Sequence, residues 1–309
     1  MEYRPSYLAL YERGKLEERI VALRAVLRSC ALCARRCGVD RLAGEVGYCK
    51  AGKAAVVSSA FPHCGEEVPL VGMHGSGTIF LAHCNLRCVF CQNWEISHGG
   101  EGREVSPQAL AEMMLALQRA GCHNINFVTP THFVPQIVEA LPLAIQGGLN
   151  VPLVYNCGGY EAVETIRLLE GIFDIYMPDA KFGDQSWAAR YCDAPDYFAV
   201  NKQALREMHR QVGELKVDAL GIAYRGLLIR HLVIPNGVAG SEAVLRFIVE
   251  ELSADSYVNI MAQYRPCYRA HQFPEIARAV SPKEVAGVIA LARRLGLHRG
   301  FEEYRGALW

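Results

Sequence analysis

Hydrophobic positions along this chain follow two periods in succession. Between Lys15 and Ser29, the residues Leu16, Ile20, Val21, Leu23, Val26 and Leu27 recur at roughly helical spacing, which predicts an amphipathic helix leading into a cysteine-rich stretch. From Gly77 onward, short apolar, β-branched or aromatic runs take over. They fall at Thr78–Ala82, Ile125–Thr129, Val151–Tyr155, Ile172–Met177, Leu227–Ile234 and Tyr257–Met261, with helical segments between most of them. Ser106-Pro107 and Ser281-Pro282 read as N-cap and first-turn pairs opening two of these helices, the second running through Arg294. Leu220 to Ile229, with Gly226 near its middle, reads as a short hairpin before the fifth strand. The change of period divides the chain into an N-terminal helix and cysteine-rich extension, residues 1–69, and a strand–helix domain, residues 70–309.

Strand–helix alternation favours an α/β fold with a parallel sheet and helical crossovers. Six such units are too few for a complete eight-stranded barrel, and the pattern alone is also satisfied by an open doubly wound sheet. In both architectures the chemistry collects at the C-terminal ends of the strands.

Composition narrows the partners. Lys plus Arg and Asp plus Glu each total 32, so no global basic field argues for a nucleic-acid substrate. The N-terminus lacks the basic-then-apolar pattern of a signal peptide, and no apolar run reaches the ~18 residues needed to cross a bilayer. The expectation is a cytoplasmic protein without a membrane segment. Its 12 cysteines then read as reduced thiols and metal ligands.

Three of those cysteines, Cys84, Cys88 and Cys91, form a CxxxCxxC segment. Cubane iron–sulfur clusters are held by cysteine thiolates, normally one per iron, so three ligands leave one iron open to a small molecule. The alternative is a structural zinc completed by His83 or His98. A second group, Cys30, Cys33, Cys37 and Cys49, is spaced CxxCxxxCx11C among Arg35, Arg36, Gly38 and Gly47. Four thiolates imply a closed site, either structural zinc or an auxiliary 4Fe-4S cluster. Cys122 and Cys192 read as buried apolar side chains, as do Cys157 and Cys267 despite their expected place near the mouth of the fold. His63, Glu66 and Glu67 precede a glycine-rich segment, Gly72 to Gly77, and read either as a polar loop or as a substrate-side acid/base group, the loop being slightly favoured.

The CxxxCxxC segment, with the aromatic Phe90 before its last cysteine, resembles the hallmark of the radical S-adenosylmethionine (SAM) superfamily. That resemblance implies a partial (β/α)6 TIM-type barrel, a 4Fe-4S cluster on Cys84, Cys88 and Cys91, and SAM bound at its open iron. From about Glu66 to Arg269 the chain looks most like pyruvate formate-lyase activating enzyme and its activating-enzyme-like homologues. Asn85-Leu86-Arg87 and Gln92-Asn93 agree with that branch. Met177-Pro178-Asp179-Ala180-Lys181 matches its Met-x-Asp-x-Lys pattern, whose Met and Asp help bind a monovalent cation beside SAM. Arg230 matches an arginine associated with the SAM carboxylate, and Phe90 is expected against adenine. There are departures. Thr129-Pro130-Thr131-His132 stands where a Gly-Gly-Glu segment receives the SAM amino group, and carbonyl and hydroxyl acceptors remain there. Asn156-Cys157-Gly158-Gly159 replaces part of the cation site, and Arg265 takes the place of a SAM-contacting histidine.

The resemblance implies a radical SAM enzyme that cleaves SAM reductively, drawing electrons from a flavodoxin or ferredoxin, to make a 5′-deoxyadenosyl radical. Its target is then a glycine in a glycyl radical enzyme or, as an alternative, another protein or metabolite. A non-catalytic alternative is an iron–sulfur electron carrier or a zinc-stabilised adaptor.

Overall fold

The computed structural model describes residues 3–301. Its strands, in chain order, are β1 (Ala55–His63), β2 (Ser76–Leu81), β3 (Arg103–Val105), β4 (Ile125–Val128), β5 (Leu153–Cys157), β6 (Ile175–Pro178), β7 (Lys216–Val217), β8 (Ala223–Leu232) and β9 (Tyr257–Met261). Six of them, in the order β2-β4-β5-β6-β8-β9, form a parallel sheet. Sheet order is linear, so the barrel is open. The doubly wound alternative fails on strand order, because successive strands are added in one direction only.

Crossover helices cover the outer face. Pro107–Arg119 begins at Ser106, whose hydroxyl accepts from the Ala109 N–H, and Pro282–Arg294 begins with a full Ser281/Glu284 capping box. Outward-facing Ile125, Phe127, Leu153, Tyr155, Tyr176, Leu227, Ile229, Val258 and Ile260 join the main core with Leu110, Met114, Ile137 and Leu141. The alternate residues face inward.

Three expectations shift. The boundary near residue 70 falls inside an antiparallel pair, since β1 is hydrogen-bonded to β2 from Val57↔Leu81 to His63↔Ser76, and β3 extends that edge. The strand expected to begin at Ile172 begins at Ile175. Asp174 just before it is buried and accepts from Tyr3 Oη, Ser6 N and Leu153 N, which anchors the N-terminal segment to the sheet. The hairpin exists but turns earlier than Gly226 suggested. β7 pairs with β8, and the Asp218 carboxylate accepts from Leu220 N and Ile222 N. Gly226 lies within β8 at φ +123°, where a Cβ would stand 2.3 Å from Glu214 O.

The connection between β1 and β2 plugs the barrel. Leu70, in the single turn Val68–Val71, is fully buried against the inward-facing Val154, Ile175, Met177 and Leu228. Two residues before that turn, Glu66 reaches β4 and β5, while Glu67 reaches β9. Adjacent residues touch strands that far apart only on the concave side of a strongly curved sheet. Residues 64–75 are therefore the floor of the barrel, opposite the end where β2 releases the cysteine segment.

Candidate active site

The cysteine segment leaves β2 through His83, which takes a left-handed conformation at φ +70°. Backbone bonds hold the segment against the last turn of helix Gln185–Cys192: Arg87 N donates to Cys192 O at 3.1 Å and Val89 N to Tyr191 O at 2.8 Å. Asn85 Nδ2 donates to Tyr160 O at 2.7 Å from a fully buried side chain. Burial pushes the Cys84 thiol up to about 12 and raises Cys91, with the Cys88 sulfur adding to both, while Cys88 itself is raised first by its contact with the Cys192 thiol and then by burial. Lys181 is the cation that works against this at all three sulfurs.

This donor set fits an iron–sulfur cluster. It offers three soft ligands, a lysine to balance their negative charge, and apolar walls from Leu86, Phe90, Phe182 and Ile234. Among the described residues no three Cys, His, Asp or Glu side chains converge on a single-ion position, which a zinc completed by His83 or His98 requires. His98 instead packs edge-on to Tyr268 at 4.9 Å. A cubane distributes its cysteines over separate irons and needs no such convergence. Cys192, read from sequence as an ordinary buried thiol, has its Sγ 2.9 Å from Cys88 Sγ.

Below the cysteines, four of the expected SAM-site residues meet in one network. Arg230 Nε donates to Asp179 Oδ1 at 2.9 Å and Arg230 Nη2 to Asn156 Oδ1 at 2.7 Å, while Lys181 Nζ pairs with the other Asp179 oxygen. Against the cost of burial, Arg230 and Lys181 hold the Asp179 carboxyl below the usual carboxylate range. Met177 is buried with the inward-facing apolar group. Phe90 packs edge-on to Phe182 at 6.1 Å and to Tyr264 at 5.9 Å.

The other expected residues stand apart. Thr129 is held at φ +59°, a conformation disfavoured for a β-branched residue, and its N–H donates to Asn156 O. Thr131 Oγ1 donates to the buried Glu161 at 2.9 Å, and His132 Nε2 lies 2.7 Å from Ala82 O. Burial lowers His132 to about 3, so its ring is neutral. These two residues face the N-terminal extension, with Arg41 Nη1 donating to His132 O. Arg265 is exposed.

In the cysteine quartet, burial raises the Cys33 thiol to about 12 and raises Cys49, with Cys49 and Cys30 adding to the first shift and Cys30 and Cys37 to the second. Gly47 is required beside them, because a Cβ there would stand 2.4 Å from Cys37 Sγ. Arg35 and Arg87 flank the Tyr48 ring at 3.8 Å and 5.0 Å, and Arg35 Nε donates to Asn85 O at 3.0 Å. The quartet's knuckle thus touches the loop that carries Cys84.

The sequence singles out Glu66 and Glu67 but not the strand residues that hold them. The Glu66 side chain, 9% exposed, accepts from Asn126 Nδ2 at 2.8 Å and Asn156 Nδ2 at 3.3 Å, with Arg230 Nη1 at 3.7 Å. Glu67 accepts from Asn259 Nδ2 at 2.6 Å. A signal was present: Asn126, Asn156 and Asn259 each interrupt an otherwise apolar strand.

Comparison with known proteins agrees with this geometry. Residues 78–213 match the family model of the radical SAM superfamily. An uncharacterized protein of Methanocaldococcus jannaschii, MJ0674, is 32% identical over 292 residues, covering 91% of this chain and 79% of the relative. A second uncharacterized protein of that organism, MJ0808, is 23% identical, with coverage of 88% and 79%. Among solved structures, HydG, a maturase of the [FeFe]-hydrogenase, superposes with a TM-score of 0.52 at 13% identity. That match covers 72% of this chain and spans half of the HydG chain (50%), and it shows a shared fold. By sequence match, residues 78–213 of this chain are a domain of the radical SAM superfamily.

Proposed function

We propose that this chain uses its family's 4Fe-4S cluster and SAM to abstract a hydrogen atom from a substrate held inside the barrel. Bound together, the two cofactors supply one-electron cleavage of SAM to methionine and a 5′-deoxyadenosyl radical. Cys84, Cys88 and Cys91 would hold the cluster, with Lys181 offsetting the charge of their thiolates. Arg230 offers a guanidinium fork to a carboxylate, which Asp179 and Asn156 hold in place. Phe90 and Tyr264 supply an apolar aromatic face beside the cysteines. The observation that carries the reading is the convergence of the cysteine segment, Lys181, Asp179 and Arg230 at one end of one barrel.

The Met-x-Asp-x-Lys segment at Met177 and the position of Arg230 support an activating-enzyme role, with a glycyl radical enzyme as partner and a flavodoxin or ferredoxin as reductant. A specific observation favours the second reading, modification of another protein or a metabolite. The barrel interior carries Glu66 and Glu67, which suit a charged or polar substrate better than a glycine backbone. Twelve free thiols fit a reducing compartment such as the cytoplasm. The quartet is read as a second metal site, zinc or an auxiliary cluster; among the described residues no three of its side chains converge on a single-ion position either, which favours the cluster.

Anaerobic reconstitution, chemical reduction and assay of 5′-deoxyadenosine test the chemistry. Formation of the nucleoside supports it, and its absence from fully loaded protein leaves the electron-carrier or adaptor reading. A glycyl radical signal on a co-purifying protein would select the activating role.

A further inference from the structure

Among the described residues of the barrel interior, Glu66, Glu67 and Asp179 face Arg230, and Asp179 also pairs with Lys181. Both cations are committed to the Asp179 end, since Arg230 donates to Asp179 and Asn156 and Lys181 pairs with Asp179. On the floor, Glu66 accepts from the neutral amides of Asn126 and Asn156 with Arg230 Nη1 standing off at 3.7 Å, and Glu67 accepts from the neutral amide of Asn259. A second observation points the same way. The Asn126 side chain is fully buried with its Nδ2 on Glu66, and its Oδ1 has no hydrogen-bond partner. A buried acceptor without a donor, beside a carboxylate without a full counter-charge, is a site for a cationic N–H group.

We propose that Glu66, Glu67 and Asn126 Oδ1 bind a guanidinium or primary ammonium group of the substrate on the barrel floor. The proposal rests on reading the barrel as the chamber for radical chemistry, and it deepens that reading by naming the substrate class. The floor lies at the start of β2 and the cysteines at its end. A substrate anchored by its cation therefore extends toward the cysteine end. Without a ligand, burial raises Glu67 to about 7, with Arg230 opposing and Glu66 adding to the shift, so a proton serves as the missing positive charge. A bound cation displaces that proton.

The test is anaerobic calorimetry on the full-length, cluster-loaded protein, using butylguanidinium, butylammonium and the neutral isostere butylurea as probes. Titrations run at pH 6.5 in two buffers of different ionisation enthalpy, with and without SAM. The expected result is at least tenfold tighter binding of one or both cations than of butylurea, with proton release. Glu67→Gln should abolish the release and the preference, and Asn126→Leu should weaken cation binding about tenfold while leaving butylurea unchanged. Glu66→Gln disturbs a neighbour of Arg230, so these two variants carry the test if it fails to fold. Equal binding of cations and butylurea, or an unchanged preference in both variants, overturns the proposal. So does displacement of the probe by potassium at equal concentration, which would make the site one for an inorganic ion. SAM cleavage by the wild type is measured separately. Cleavage without a cation preference places the error in this inference, and a cation preference in loaded protein that never cleaves SAM places it in the radical reading and removes the substrate assignment.

Discussion

Arg230 Nε donates to Asp179 Oδ1 at 2.9 Å, so the arginine expected to receive a SAM carboxylate already holds one from its own chain. Arg230→Ala leaves Asp179 with Lys181 and removes the cation that faces Glu66 and Glu67. Breaking a buried pair in this way costs about 3–5 kcal/mol, to be read as a shift in urea midpoint. SAM affinity in the surviving folded protein should fall by a further ~1.5–3 kcal/mol, the range for a charge-assisted hydrogen bond. Unchanged affinity would show that Arg230 serves Asp179 only.

The three motif cysteines should account for about four irons per chain. We expect replacement of Cys84, Cys88 and Cys91 by Ala to remove that iron from an anaerobic preparation and to end formation of 5′-deoxyadenosine. Iron analysis and product chromatography on the same sample check both. Persistent product from the triple variant would refute the assignment.

Replacing Cys33 and Cys37 distinguishes the two metals proposed for the quartet. Structural zinc predicts a loss of zinc and of thermal stability, with the iron inventory kept, because binding free energy of the metal is folding free energy. An auxiliary cluster predicts a loss of roughly four irons beyond those of the barrel. Metal analysis with Mössbauer spectra separates the outcomes, and identical metal contents in wild type and double variant would make the quartet ordinary thiols.

Glu67 gives a pH signature. Its folded pKa of about 7 lies above the ordinary 4.5, so the folded state keeps a proton that the unfolded state has already lost. The stabilising contribution is complete below about pH 4.5 and disappears as the pH rises through 7. Histidines His83, His98, His123, His132 and His231 are lowered, chiefly by burial, and act in the opposite sense, adding stability as the pH rises toward 6.5. The Glu67 part is therefore isolated as the difference between wild type and Glu67→Gln. Between pH 4.5 and 7.5 the wild type should lose up to ~3 kcal/mol relative to the variant in urea titrations. A difference that stays flat with pH would place the Glu67 carboxyl in water.

Much of this was legible in the sequence where the signal is local. Periodicity marked all six parallel strands, cap chemistry fixed the starts of two helices at Pro107 and Pro282, and spacing singled out Cys84, Cys88 and Cys91. What escaped depends on partners distant along the chain. β1 was not recognised because its register is set by β2 and β3, and its tip is half polar. Glu66 and Glu67 look like a surface loop until strands 60 to 192 residues away close around them. Thr131 and His132 follow β4 as SAM contacts were expected to, and their side chains are bonded to Glu161 and to Ala82 O, partners that spacing does not reveal. The residue type at Arg230 does not separate its two roles, because a guanidinium that suits a ligand carboxylate suits Asp179 equally.

The antiparallel pairing of β1 with β2 also acts as a depth gauge. Both strands enter the floor at His63 and Ser76, and β2 carries the chain from there directly to the cysteines. Each residue of β2 adds roughly 3.3 Å between floor and motif. A relative in which residues 64–75 are longer, with the hairpin register kept, raises its floor without moving the cysteines. On the proposed reading, the reach required of a substrate is then set by the length of one short connection.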